Sequence, residues 1–174
     1  MIYRKYNEKV KNYRSLIIEN ATSLEVQLEW ILSSYFSRSM EEYALFNYIF
    51  FPSEVEIGFY DKIKMFEKLV EDALPRFKKK YPQTIKKLNQ IRRIRNVFAH
   101  GDATDPFVKN IKQIKKEIIF TVVEKGQNKE ITYTFDYVKE IVRDCHDLNG
   151  VLAEQIRELK RSNNIFIGYL KKLK

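Results

Sequence analysis

An apolar or aromatic side chain returns every seventh residue at Tyr3, Val10, Ile17, Leu24 and Ile31, and Tyr13, Ala21, Leu28 and Tyr35 widen the same stripe. That period places all of them on one side of a long amphipathic α-helix, from about residue 3 to 36. With only 5 Gly and 4 Pro in the chain, long helices meet few interruptions.

The same reading carries along the chain. Ser39 with Glu42, and Ser53 with Glu56, stand at capping-box spacing, where each side chain satisfies the other residue's free amide, so two more helices are expected to start there. The second, about 54 to 74, turns Ile57, Tyr60, Ile63, Phe66, Leu69, Val70 and Leu74 inward and is closed by Pro75. A turn through Tyr81-Pro82 leads to a helix from about 83 to 100, ended by Gly101 in the usual position after a helix C-terminus, and residues 102 to 106 read as loop. Residues 117 to 123 and 130 to 135 are rich in β-branched and aromatic types, and the turn-forming Lys125-Gly126-Gln127-Asn128 between them predicts a β-hairpin. From Asp136 the helical period resumes with Val138, Ile141, Cys145, Leu148, Leu152, Ile156 and Leu159, reaches about Lys160, and is broken at Asn163-Asn164. The apolar tail from 165 to 170 is expected to dock on this core or on a second subunit.

A mainly α fold with a small inserted hairpin at 117–135 follows. At 174 residues, 44% hydrophobic and 32% charged, the chain suits one globular domain, 1–174, rather than a disordered or fibrous one. The lone Cys145 cannot form an internal disulfide, and Met1-Ile2-Tyr3-Arg4-Lys5-Tyr6 has no apolar stretch like a signal peptide, which points to the cytoplasm. No apolar run approaches the roughly 18 residues of a membrane span.

The net charge of +9 is localised. Between residues 76 and 101 there is no Asp or Glu, while Arg76, Lys78, Lys79, Lys80, Lys86, Lys87, Arg92, Arg93 and Arg95 are all cationic; these account for the whole excess. A charge run is often only a solvated face, but a field this concentrated and unbalanced attracts a polyanion. Lys86, Lys87, Arg92 and Arg93 are the candidate RNA-binding cations.

On a wheel of about 100° per residue, Ile91, Ile94 and Phe98 form the buried face of this helix, and Arg92, Asn96 and His100 follow one another on the opposite side. Arg95 lies about 140° from His100, so the two converge only if the helix end unwinds or two copies cooperate. Helices packed about a two-fold axis would line one groove with two Arg, two Asn and two His, so any active form is expected to be a homodimer.

These residue types suit RNA cleavage without a metal. The planar Arg fork matches phosphate, Asn orients a ribose hydroxyl or phosphate oxygen, and His shuttles a proton near neutral pH. The ribose 2′-hydroxyl would attack the adjacent phosphate, Arg95 would offset the charge on the phosphorane, and His100 would exchange a proton with a reacting oxygen. A 2′,3′-cyclic phosphate and a 5′-hydroxyl would result, and DNA would be inert.

The stretch Ile91-Arg92-Arg93-Ile94-Arg95-Asn96-Val97-Phe98-Ala99-His100-Gly101 resembles the signature of the HEPN superfamily: an Arg, then a polar residue that is commonly Asn, then His four to six positions on. Upstream, Phe59-Tyr60-Asp61-Lys62-Ile63 resembles the pattern preceding this helix in several branches. The resemblance implies an up-and-down helical bundle, a dimer that builds a shared cleft and, in many members, metal-independent ribonuclease activity in toxin, anti-phage or RNA-processing systems, with Arg95, Asn96 and His100 at the motif positions. A cognate antitoxin or regulatory protein then becomes a possible partner. The hairpin is an insertion relative to the simplest bundle, and some members serve only as binding or regulatory modules. Two alternatives therefore stand beside the nuclease: a non-catalytic RNA- or nucleotide-binding module, and a regulatory dimeric interaction protein.

Other constellations read as structural. Cys145-His146-Asp147 looks like a nucleophile and base, but neighbours on a helix point about 100° apart and Cys145 falls on the apolar stripe. Two His and one Cys suggest no zinc site, and no glycine-rich phosphate loop or other cofactor signature is present. Glu25 and Glu29 share a helix face and read as solvated carboxylates, and Trp30 reads as packing.

Overall fold

A computed structural model of the chain describes residues 2–37, 39–51, 57–103 and 116–163. The elements are α1 (Ile2–Phe36), α2 (Met40–Phe50), α3 (Phe59–Ala73), α4 (Pro75–Lys80), α5 (Thr84–His100), β1 (Asp102–Ala103), β2 (Glu117–Glu124), β3 (Gln127–Thr134) and α6 (Phe135–Asn163). The fold is mainly α with one small antiparallel sheet, and α1 covers the whole range that its seven-residue stripe demands. Two compact units divide the chain: one takes Met1–Thr22 and Gln90–His146, the other Ser23–Asn89 and Asp147–Lys174.

In the first unit Val10, Ile17 and Ala21 of α1, Ile91, Ile94 and Phe98 of α5, and Val138, Ile141 and Cys145 of α6 are buried together with Ile118, Ile119 and Phe120 of β2. Three consecutive buried residues mean that the base of the hairpin is covered on both faces, whereas a half-exposed strand would alternate. Its outer end reaches solvent, with Val123 75% exposed. The sheet order is β1-β2-β3, with Ala103 opposite Phe120, and Glu117 to Glu124 opposite Thr134 to Gln127. The loop is shorter than the sequence suggests. Lys125 and Gly126 alone make the turn, with φ of 53° and 78°, the paired left-handed values that match strand twist in a two-residue hairpin, and Gln127 and Asn128 already pair in β3. Asp102 and Ala103 are likewise strand rather than loop, because β2 offers an open edge beside them. The expected loop residues 104–106 lie outside the described residues.

In the second unit Leu24, Leu28, Ile31 and Leu32 of α1 meet Ile63, Phe66, Leu69 and Val70 of α3, Phe77 of α4, Leu88 of α5, and Leu148, Leu152 and Ile156 of α6 in burial. Ser39 caps α2 as its spacing requires, its Oγ accepting from the Glu42 amide at 3.1 Å. The Ser53 and Glu56 pair lies outside the described residues. Helix α3 begins instead at Phe59, with Gly58 as N-cap, and Pro75 occupies the first turn of α4, where its missing N–H costs nothing. Tyr60, expected inward, is 46% exposed, and Phe59 and Lys62 take the inward places. Trp30, read as packing, is half-exposed rather than fully buried.

Lys62 corrects the reading of Glu25 and Glu29 as merely solvated. Its Nζ lies 2.7 Å from Glu25 Oε1 and 2.5 Å from Glu29 Oε1, and its side chain is only 6% exposed. Two carboxylates one turn apart on α1 therefore clamp one lysine of α3. Burial by itself pushes the Lys62 ammonium down, but the two carboxylates outweigh it and hold the group above its ordinary value.

Candidate active site at the end of helix α5

Three features hold the motif segment of α5. Ile91, Ile94 and Phe98 point into the first unit, and the Phe98 ring lies 4.7 Å from that of Phe120 and 5.8 Å from that of Tyr133. Gln90 donates to the Tyr137 hydroxyl at 2.9 Å. The helix then stays regular through His100, and the Gly101 amide closes its last turn on the Val97 carbonyl at 2.8 Å.

Gly101 follows the helix as expected, but for a different physical reason. Among the described residues Gly126 is the one glycine with positive φ, so Gly101 is not a left-handed cap. Space demands it instead: a Cβ here would sit 2.5 Å from the Val97 carbonyl oxygen and 3.2 Å from both Phe120 Cβ and Val122 Cγ1. The chain passes so close to β2 because β1 starts at the next residue.

Asn96 and His100 are exposed, as the wheel requires, and Arg93 is exposed with them. Arg92 was expected in that outward row but is half-buried, because steps of four drift by about 40° each and leave it roughly 80° from His100. Arg93, seven residues before His100, is only about 20° away and takes the outward place. Arg95 is half-buried on the flank, and its Nη1 donates to Asn96 Oδ1 at 3.3 Å, a long hydrogen bond that draws the guanidinium towards the outward face. Because α5 does not unwind before His100, Arg95 and His100 still diverge by about 140° within one chain.

Lys86 is exposed and Lys87 half-buried, both on the part of α5 that belongs to the second unit. In that unit the basic segment is partly neutralised. Lys80 Nζ lies 2.6 Å from Glu154 Oε1, and the Tyr81 hydroxyl donates to the other oxygen of the same carboxylate. Glu154, held first by Lys80 and then by Tyr81, titrates below the usual carboxylate range.

Sequence reasoning missed Arg14. From the flank of the α1 stripe its Nη2 donates to the Gly101 carbonyl at 2.6 Å, across 87 residues of sequence, and its Cζ lies 5.6 Å from the centre of the Phe120 ring. A lone cation beside an apolar stripe carries no signal that it will meet a helix end so distant in the chain. Cys145 is buried as expected, and desolvation pushes its thiol up to about 12, so it is no nucleophile. Among the described residues no three His, Cys, Asp or Glu side chains gather in a group that could hold a metal ion, and no helix is long and apolar enough to cross a membrane. Comparison with protein-family models, curated proteins and solved structures gives no match to this chain.

Proposed function

We propose that the chain is an endoribonuclease of HEPN type, working as a cytoplasmic homodimer without a metal in a toxin or anti-phage setting. The observation that carries this reading is the outward face at the end of α5, where Asn96 and His100 are exposed and Arg95 is hydrogen-bonded to Asn96. On that face a phosphate can meet a planar cation, an amide and an imidazole together once a second copy closes the angle between Arg95 and His100.

In the reaction the ribose 2′-oxygen forms a bond to the neighbouring phosphorus while the bond to the 5′-oxygen breaks. At each site the His100 imidazole of one copy takes the 2′-hydroxyl proton and gives a proton to the departing 5′-oxygen, opposite the Arg95 of the other copy. Arg95 offsets the charge that builds on the non-bridging oxygens, and Asn96 holds Arg95 and the phosphate in register. Lys86, Lys87, Arg92 and Arg93 are the cations assigned to the RNA backbone. The angle between Arg95 and His100 also favours one other reading: in a lone chain the same residues bind RNA without cutting it.

Incubation with single-stranded RNA and matched DNA in excess chelator tests the proposal. RNA alone should be cleaved, leaving 2′,3′-cyclic phosphate and 5′-hydroxyl ends, and Arg95→Ala and His100→Ala should each slow the reaction by about a hundredfold or more. Equal cutting of DNA, or full activity in both variants, contradicts it. Salt-sensitive RNA binding with no cleavage supports the binding module instead.

A further inference from the structure

The carbonyl that follows His100 is held by an unusually costly donor. An exposed helix end can satisfy its last carbonyls with water, yet here Gly101 receives a charged guanidinium arm from another helix. Arg14 is half-buried, and its Nε is buried with no hydrogen-bond partner among the described residues. Nε thus gives up its solvation while Nη2 makes a short bond to the Gly101 carbonyl, so the place of the guanidinium follows what it grips.

What it grips is the path of the chain around His100. On the helix side, the Gly101 amide is fixed to Val97. On the strand side, Asp102 and Ala103 are fixed to Thr121 and Phe120. Between them, the Gly101 carbonyl is fixed by Arg14, whose guanidinium also sits by the ring of Phe120. His100 is the last helical residue before this clamp, so the clamp fixes the backbone from which its imidazole projects.

We propose that Arg14 is a positioning residue for His100, acting through the Gly101 carbonyl. This rests on the ribonuclease reading above, and its test separates the two. Full-length Arg14→Gln and Arg14→Lys are assayed on single-stranded RNA beside Arg4→Gln, which alters an exposed cation on the same helix that is paired with Glu8. Proton NMR follows the imidazoles of His100 and His146, the two histidines of the chain, assigned with His146→Asn.

Arg14→Gln should lower kcat about tenfold or more, change KM by less than about twofold, and shift the His100 resonances while leaving those of His146 in place. Arg14→Lys, which keeps a charged donor, should recover part of the rate, and Arg4→Gln should match the wild type. Unchanged kcat, a rise in KM alone, or unmoved His100 resonances overturns the proposal. If the wild type cuts no RNA, the ribonuclease reading fails, and the His100 resonances alone decide whether Arg14 positions that side chain. If Arg14→Gln loses its helical circular dichroism, Arg14→Lys takes its place: a lowered kcat with shifted His100 resonances supports the proposal, and a wild-type kcat or unmoved resonances overturns it.

Discussion

Lys62 is a buried cation between two acids, and its energetics are asymmetric. Removing a single member of such a cluster strands the charges that remain, whereas removing all of them together with their desolvation cost is often mild. Lys62→Ala should therefore destabilise the protein by on the order of 3 kcal/mol, while Lys62→Met combined with Glu25→Gln and Glu29→Gln should lose far less; urea denaturation of the two proteins checks this. The folded ammonium titrates above its ordinary value of 10.5, so its contribution is intact at neutral pH and is lost only as pH rises through that raised value. Neither glutamate announced this role, because a carboxylate pair on one helix looks solvated until the lysine 37 residues from Glu25 is brought to it by folding. Cys145 was legible for the opposite reason: its place on the stripe depends on local helical period alone.

Helix periods and caps are local, and the elements they define were readable. The stripe of α1, the Ser39 cap and the inward face of α5 all depend on neighbours within a few turns. Elements whose form depends on distant strands were not. Asp102-Ala103 became β1 because β2 accepts it, and Gly101 is required by the close approach that this pairing creates, which no turn rule at the helix end could reveal. Substitutions separate the two kinds of glycine. Gly101→Ala should cost roughly 2 kcal/mol or more, since its Cβ would overlap a backbone carbonyl. Gly150→Ala in α6, where a Cβ meets nothing within 4 Å, should stabilise by about 0.5–1 kcal/mol. Opposite shifts in thermal midpoint are the expected result.

At the scale of the whole molecule, the chain is a strongly basic protein whose excess charge lies in one acid-free stretch, and folding sets the members of that stretch to different uses. Lys80 is tied to Glu154, Arg92 turns to the flank, and Arg93 faces outward beside Asn96 and His100. The outward places of Asn96 and His100 followed from helical spacing; the grip of Arg14 on the segment's end was not legible. What a regular α5 cannot do alone is bring Arg95 and His100 onto one phosphate, so activity in this account belongs to a pair of chains. Exchange of subunits between inactive Arg95→Ala and His100→Ala proteins measures that directly, because a mixed dimer restores one complete set of groups. RNA cleavage should return to about a quarter of the wild-type rate, from half the dimers each carrying one of two sites. A mixture as inactive as its parents, beside an active wild type, would contradict the shared site.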